Sequence, residues 1–264
     1  MTRITKNERD LLLDLDRILA CADLYIDVWG NECMKQKPQL RTSVSWNNFI
    51  LMTHNAHSVA ILLRKKQIYS ANSLTRIILE QWINMNYFYL TKTYESLVHY
   101  LYSGDKSFID NVEKSRTFFK RSNYSGNFTD TDFDEIRAFR DDSMSDLKKY
   151  GFKLKVMPDI RTRAEQIDKN NDNNELLHLY ISWYLNNSMN IHSSKDILIA
   201  MTHAESYEEI CTGYGLISEN DFSMPAFLTC QLLSSAMFFI QSKSKLQRPI
   251  LNREVVIAYN AYTL

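Results

Sequence analysis

The chain has 264 residues, enough to bury a substantial core within one large helical domain. Its 31 basic and 31 acidic residues cancel, so no overall field draws it to nucleic acid or to an acidic membrane surface, and any such binding must be local. Only 6 Gly and 4 Pro stand beside plentiful Leu, Ile, Met and Lys, which argues against turn-rich sheet folds and for an all-α chain.

In chain order, a first helix is expected to open with a capping box, Thr5 with Glu8. It continues through Leu11, Leu12, Leu15, Ile18, Leu19, Ala22, Tyr25 and Val28 at helical period to about Trp29, where Gly30 stops it. A loop with Pro38 follows, and a second helix is predicted from Trp46 to about residue 66. Ser70 is a good N-cap for a third helix reaching Leu90, forming a hairpin with the second. Shorter helices are predicted over Tyr94–Tyr102 and Lys106–Arg121, then a polar loop, and a charged helix over Phe133–Tyr150 ended by Gly151.

Residues 122–174 read as a peripheral or mobile insertion, with Pro158 and the run KNNDNN near its end. The helix predicted from Glu175 to His192 is too apolar to stand alone and must pack on the first three, so the chain reads as one domain with its core at about 40–240. A partial helix over Asp196–Cys211, a strong one over Ser223–Lys243 and a frayed C-terminal segment complete it. The apolar run PAFLTCQLLSSAMFFI is broken by Thr229, Gln231, Ser234 and Ser235 and reads as a core helix too short to span a bilayer, so no membrane partner is expected. Cys21, Cys33, Cys211 and Cys230 lie far apart without ligand spacing, which indicates neither a zinc site nor a disulfide framework and fits the reducing cytoplasm. The charged N-terminus, MTRITKNERDLLLDLDR, lacks the apolar stretch of a signal peptide.

Two helices that otherwise read as core carry polar residues at four-residue spacing. Asn72, Arg76, Glu80 and Asn84 form one column, and Tyr184, Ser188 and His192 form another, because residues four apart stand above one another on a helix. Leu74, Ile77, Ile78, Trp82, Ile181, Trp183 and Met189 flank them, so both columns are expected inside the bundle. Two polar columns in apolar helices satisfy one another only by facing, so Arg76 and Glu80, read as an ion pair, should meet Tyr184, Ser188 or His192. On that reading, loss of Glu80 would strand a buried guanidinium. His192 ends its helix, where the C-terminal dipole favours the protonated imidazole, and Ser193 and Ser194 follow it. The column of phenol, hydroxyl and imidazole is compatible with a hydrogen-bonded relay.

His54 and His57 share a helix face, but no carboxylate pair on that helix completes a metal site, and packing or capping explains them more simply. No metal or cofactor is expected. There is no phosphate-binding glycine loop, no Gly-x-Ser-x-Gly and no His-Glu-x-x-His, which disfavours classical nucleotide hydrolysis, lipase and zincin chemistry. Only SRTFFKRSNY interleaves basic and aromatic residues in a manner suited to stacking bases, and a solvated amphipathic helix accounts for it.

The motifs Arg-x-x-x-Glu in SANSLTRIILE (Ala71, Leu74, Arg76, Glu80) and Tyr-x-x-x-Ser-x-x-x-His-x-Ser in YLNNSMNIHSS (Tyr184, Ser188, His192, Ser194) resemble a bacterial all-helical family known as a domain of unknown function. The resemblance spans roughly residues 40 to 240. That family usually has Pro after the His, where this chain has Ser193, so no loop geometry is carried over there.

The helix arrangement is also similar to the HEPN superfamily of prokaryotic ribonucleases and nucleotide-binding toxins, dimeric helical bundles found in antiviral-defence and toxin–antitoxin loci. Their hallmark is Arg, four to six residues, then His on one helix. Here Leu185, Asn186 and Asn187 occupy the corresponding positions before His192, so Arg76 would have to come from another helix. This likeness implies an antiparallel bundle with a HEPN-like core and additional C-terminal helices, a homodimer, RNA or a nucleotide as ligand, and a protein partner from the same locus. It implies a metal-independent ribonuclease-type effector. His192 would be general acid or base, Arg76 would stabilise phosphorane charge and Glu80 would orient Arg76, with Asn72, Tyr184, Ser188 and Ser194 positioning substrate. The alternative is a non-enzymatic helical interaction or sensor protein whose Arg-Glu-His cluster is a buried polar lock.

Overall fold

A computed structural model describes residues 6–36, 40–121, 130–149, 151, 155–172, 175–185 and 219–243. The fold is all-α, and the described residues contain no strand. Its described helices are α1 (Lys6–Gln36), α2 (Leu40–Arg64), α3 (Ile68–Leu90), α4 (Thr93–Arg121), α5 (Asp130–Lys149), α6 (Ile160–Asn171), α7 (Glu175–Leu179, running on as a π-helical segment, Tyr180–Leu185) and α8 (Glu219–Lys243). Contacts divide the chain into two compact units, one of residues 1–89 with 160–264 and one of 90–159.

In the first unit α1, α2 and α8 pack against one another. The apolar period of α1 buries Leu12, Leu15, Ile18, Leu19, Ala22, Tyr25 and Trp29, and α2 answers with Phe49, Met52, Ala56, Val59, Ala60 and Leu63. At one end of this interface Tyr25, Trp29, Trp46 and Phe49 form an aromatic cluster, with the Trp29 and Trp46 centroids 5.4 Å apart and Tyr25 edge-on to Phe49 at 5.6 Å.

That cluster explains two departures from the sequence reading. Gly30 does not stop α1, which continues to Gln36, with the Trp46 ring lying 3.5 Å from where a Cβ on Gly30 would stand. A helical glycine costs about 1 kcal/mol relative to alanine, less than burial of the adjoining Trp29 returns. For the same reason α2 starts at Leu40 rather than Trp46. The earlier start buries Val44 and Trp46, while Ser45 Oγ donates to the Arg41 carbonyl at 2.9 Å.

The α2–α3 turn is built on a buried ion pair. Lys66 takes a left-handed conformation (φ 58°) and its amide donates to the Leu63 carbonyl at 3.0 Å. Its Nζ lies 2.6 Å from both carboxylate oxygens of Glu8 and 5.2 Å from the centre of the Phe222 ring. The two charged side chains are only 7% and 5% exposed. Glu8, expected to close a capping box with Thr5, is thus engaged by Lys66, and Thr5 lies outside the described residues. Because the turn occupies Lys65–Gln67, α3 begins at Ile68 and Ser70 falls inside it rather than at its cap.

α8 runs from Glu219, and its Phe222–Ser242 stretch is long and apolar enough by composition to cross a membrane, contrary to the sequence reading of a run too short to do so. Of its most apolar window, 61% is buried within the chain, with Phe222, Ala226, Leu233, Ala236 and Met237 in the core, and this is how a bundle's central helix behaves. Residues 160–171, where no helix was predicted, form α6, which buries Ile160, Arg163, Ala164, Ile167 and Asp168 on one face. The segments 196–211 and 244–264 lie outside the described residues.

In the second unit α4 and α5 pack together. α4 is one helix where two were predicted, since Gly104 faces open space and nothing forces a break there. Arg137 pairs with Glu113 across the two helices, and the Arg116 guanidinium lies 6.0 Å from the Phe133 ring centre. Gly151, at φ +74°, donates its amide to the Lys148 carbonyl at 3.0 Å and ends α5 as the sequence predicts.

Removing one partner of a buried ion pair leaves an uncompensated charge, typically at about 3–5 kcal/mol. Glu8→Ala should lower unfolding free energy in urea by that amount, while Glu8→Leu combined with Lys66→Met should recover most of it. A single-variant loss below about 1 kcal/mol would contradict the role given to this pair.

Candidate functional site

α3 is reached through side-chain contacts from α2, α6, α7 and α8. Its polar residues make those contacts one by one. Gln81 accepts from Asn55 of α2 at 3.2 Å, and Thr75 Oγ1 lies 3.2 Å from Thr229 Oγ1 of α8 while donating to the Ala71 carbonyl. Asn84 accepts from Arg163 of α6, and both side chains are buried. Burial beside this pair pushes the Tyr87 phenol above its ordinary range, with the Arg163 charge acting the other way.

Arg76 and Glu80 meet Tyr184, as two facing polar columns require. Arg76 Nη2 donates to Tyr184 Oη at 2.8 Å, and the guanidinium carbon lies 4.1 Å from the centre of the same ring. Tyr184 Oη in turn donates to Glu80 Oε2 at 3.5 Å. On the helix that supplies Tyr184, Tyr180 stacks on it at 4.9 Å between centroids and 22° between planes. Both tyrosines belong to the π-helical segment, a widened turn of a kind frequent at functional sites.

The detail differs from the sequence reading in three ways. Arg76 and Glu80 are not an ion pair: the Tyr184 hydroxyl stands between them, and no carboxylate among the described residues pairs with Arg76. The column is also not sealed. Asn72, Asn84 and Tyr184 are buried, but Arg76 and Glu80 are half-buried, and Ile77 and Ile181 beside them are 42% and 49% exposed. Finally, Asn84 serves Arg163 rather than the α7 column. Asn72, one turn before Arg76, is 8% exposed, and its Oδ1 has no hydrogen-bond partner among the described residues. Ser188, His192 and Ser194 lie outside the described residues.

Sequence reasoning missed Arg163 and Asp168. Asp168, 2% exposed, accepts from the Leu176 amide at 3.2 Å and from the Leu177 amide at 2.7 Å. It thereby ties the start of α7 to α6 and sets where Tyr184 falls. The apolar spacing Ile160, Ala164, Ile167 was the available signal, hidden by the polar run KNNDNN that follows. His54 is exposed, and His57 Nε2 lies 2.9 Å from Asp23 with both side chains about half exposed, a surface pair rather than packing or a cap.

Chemically, the arrangement presents a positively charged, partly accessible guanidinium held from below by an aromatic ring and a hydroxyl. No carboxylate among the described residues pairs with it, and a guanidinium so placed suits an anionic group with planar or tetrahedral oxygens. Among the described residues no three metal-ligating side chains gather.

Residues 47–209 match the model of a family of unknown function (DUF5677), and the chain belongs to that family. The match takes in α3 and both motifs that carry the polar columns. Neither the curated proteins nor the solved structures give a match to the chain.

Because Arg76 rests on a ring and a hydroxyl rather than on Glu80, Tyr184→Phe should cost about 1 kcal/mol. Glu80→Ala should cost no more than that. A Glu80→Ala loss of about 3–5 kcal/mol, the signature of a stranded buried charge, would contradict the arrangement.

Proposed function

We propose that this member of DUF5677 is a HEPN-like, metal-independent ribonuclease-type effector, acting in the cytoplasm as a homodimer within an antiviral-defence or toxin system. The observation that supports this reading is Arg76: a half-buried guanidinium, stacked on Tyr184 and opposed by no carboxylate among the described residues, leaves its positive charge for a ligand. A phosphodiester is the biological anion that such a planar fork binds through paired hydrogen bonds.

In this scheme the ribose 2′-oxygen attacks phosphorus, the bond to the 5′-oxygen breaks, and a 2′,3′-cyclic phosphate is left. His192 takes the 2′ proton as base or delivers one to the departing 5′-oxygen as acid. Arg76 offsets the charge that builds on the phosphorane oxygens. Glu80 acts on Arg76 through Tyr184, whose hydroxyl it receives, instead of gripping the guanidinium directly. Asn72, Tyr184, Ser188 and Ser194 position the strand. A protein partner from the same locus would hold such an activity in check.

A second reading is favoured by the completeness of the contact itself. Arg76, Tyr184, Tyr180 and Glu80 make a stacked, hydrogen-bonded lock between α3 and α7 that needs no ligand, as in a non-enzymatic interaction or sensor protein.

Overproduction separates the two. The effector reading predicts growth arrest, RNA cleavage that persists in chelator, and relief of both by His192→Ala in folded protein, since a general acid or base contributes about 10²- to 10⁴-fold to rate. A parent chain that is harmless and cleaves no RNA, or a folded His192→Ala chain as toxic as the parent, would favour the lock.

A further inference from the structure

We infer that Asn72 sets the preference of this site for ribose over deoxyribose, its amide oxygen accepting, in the bound strand before any proton transfer, a hydrogen bond from the 2′-hydroxyl beside the phosphate held on Arg76. The inference rests on the reading of Arg76 as a phosphate-binding residue and adds the feature by which the strand would be recognised as RNA.

Two observations carry it. Asn72 is 8% exposed and its Oδ1 has no hydrogen-bond partner among the described residues, while Asn84, the other buried member of the α3 column, accepts from Arg163 of α6. A shut-in acceptor without a donor destabilises a fold, and a leucine of similar volume at this position would remove that burden. Asn72 also lies four residues before Arg76, which places the two side chains on one face at about 5–6 Å between Cβ atoms. In a ribonucleotide the 2′-hydroxyl and the 3′-phosphate hang from adjacent carbons of one sugar, so a cation for the phosphate and an acceptor for the hydroxyl belong one helical turn apart or less. The 2′-hydroxyl is the group by which a protein separates RNA from DNA at a given position, and it can donate to an amide oxygen.

The test is binding of single-stranded oligonucleotides of one sequence with ribose, 2′-deoxyribose or 2′-fluoro sugars, measured by fluorescence anisotropy. The full chain carries His192→Ala throughout so that RNA stays intact. The ribose strand should bind about tenfold more tightly than either of the others, the factor that one hydrogen bond supplies. Asn72→Leu should weaken only the ribose strand, bringing all three to one affinity, with a melting temperature no lower than the parent's. Arg76→Gln should weaken all three alike. A ribose advantage that survives Asn72→Leu overturns the inference, and so does a lower melting temperature with an unchanged ratio, the result expected of a structural amide bridged by a buried water. Equal affinity of the parent for all three sugars, with Arg76→Gln weakening each, overturns the Asn72 role and leaves the phosphate site standing. No binding of any strand, or binding indifferent to Arg76→Gln, overturns the phosphate site and the Asn72 role together.

Discussion

Burying a polar side chain on an apolar helix is costly unless a neighbouring helix supplies what water no longer can, and that cost bears on how α3 sits in its bundle. Thr75 is met by α8, Asn84 by α6, Gln81 by α2, and Arg76 with Glu80 by the tyrosine of α7. Each contact specifies an orientation, whereas the apolar positions Ile78, Leu79 and Ile83 between them demand only to be covered. The apolar residues therefore supply most of the stabilisation, and the polar ones select which helix goes where.

The two ends of α3 are treated differently. Its N-terminal turn is held by the Lys66–Glu8 pair, buried and with Lys66 beside the Phe222 ring, so that α1, the turn and α8 are tied at one point. Such a pair is a weak source of stability but a strict specifier of geometry, because each charge is tolerable only where the other stands. The Arg76 contact is of the opposite kind. It lies half-exposed, its partner is a phenol, and no carboxylate among the described residues pairs with the guanidinium. The fold thus buries one cation against a carboxylate and leaves another, Arg76, half-exposed against a phenol.

Much of this was legible in the sequence. The period-four columns named Arg76, Glu80 and Tyr184 before any coordinates did, since only facing satisfies two such stripes, and Gly151 was correctly read as a helix end. What was not legible depended on partners distant in sequence. That Glu8 would serve Lys66, 58 residues away, rather than a local cap follows from a left-handed turn that no lysine announces. α6 was missed because its four-residue apolar spacing is short and set among charged residues, and with it went Arg163 and the Asp168 cap that aligns α7. Gly30 was overread as a stop: a lone glycine costs about 1 kcal/mol in a helix, which tertiary packing readily exceeds.

The central claim is that Arg76 is oriented by Tyr184 yet keeps its charge available to an anion. The arginine side-chain Nε–Hε signals in a ¹⁵N-correlated spectrum of the full chain test it most directly, on titration with a ribonucleoside 3′-phosphate. The account predicts a saturable shift of the Arg76 signal, abolished in Arg76→Gln, with the buried Arg163 signal unmoved. An Arg76 signal that stays fixed at saturating ligand, or a shift shared equally by Arg163, would contradict it.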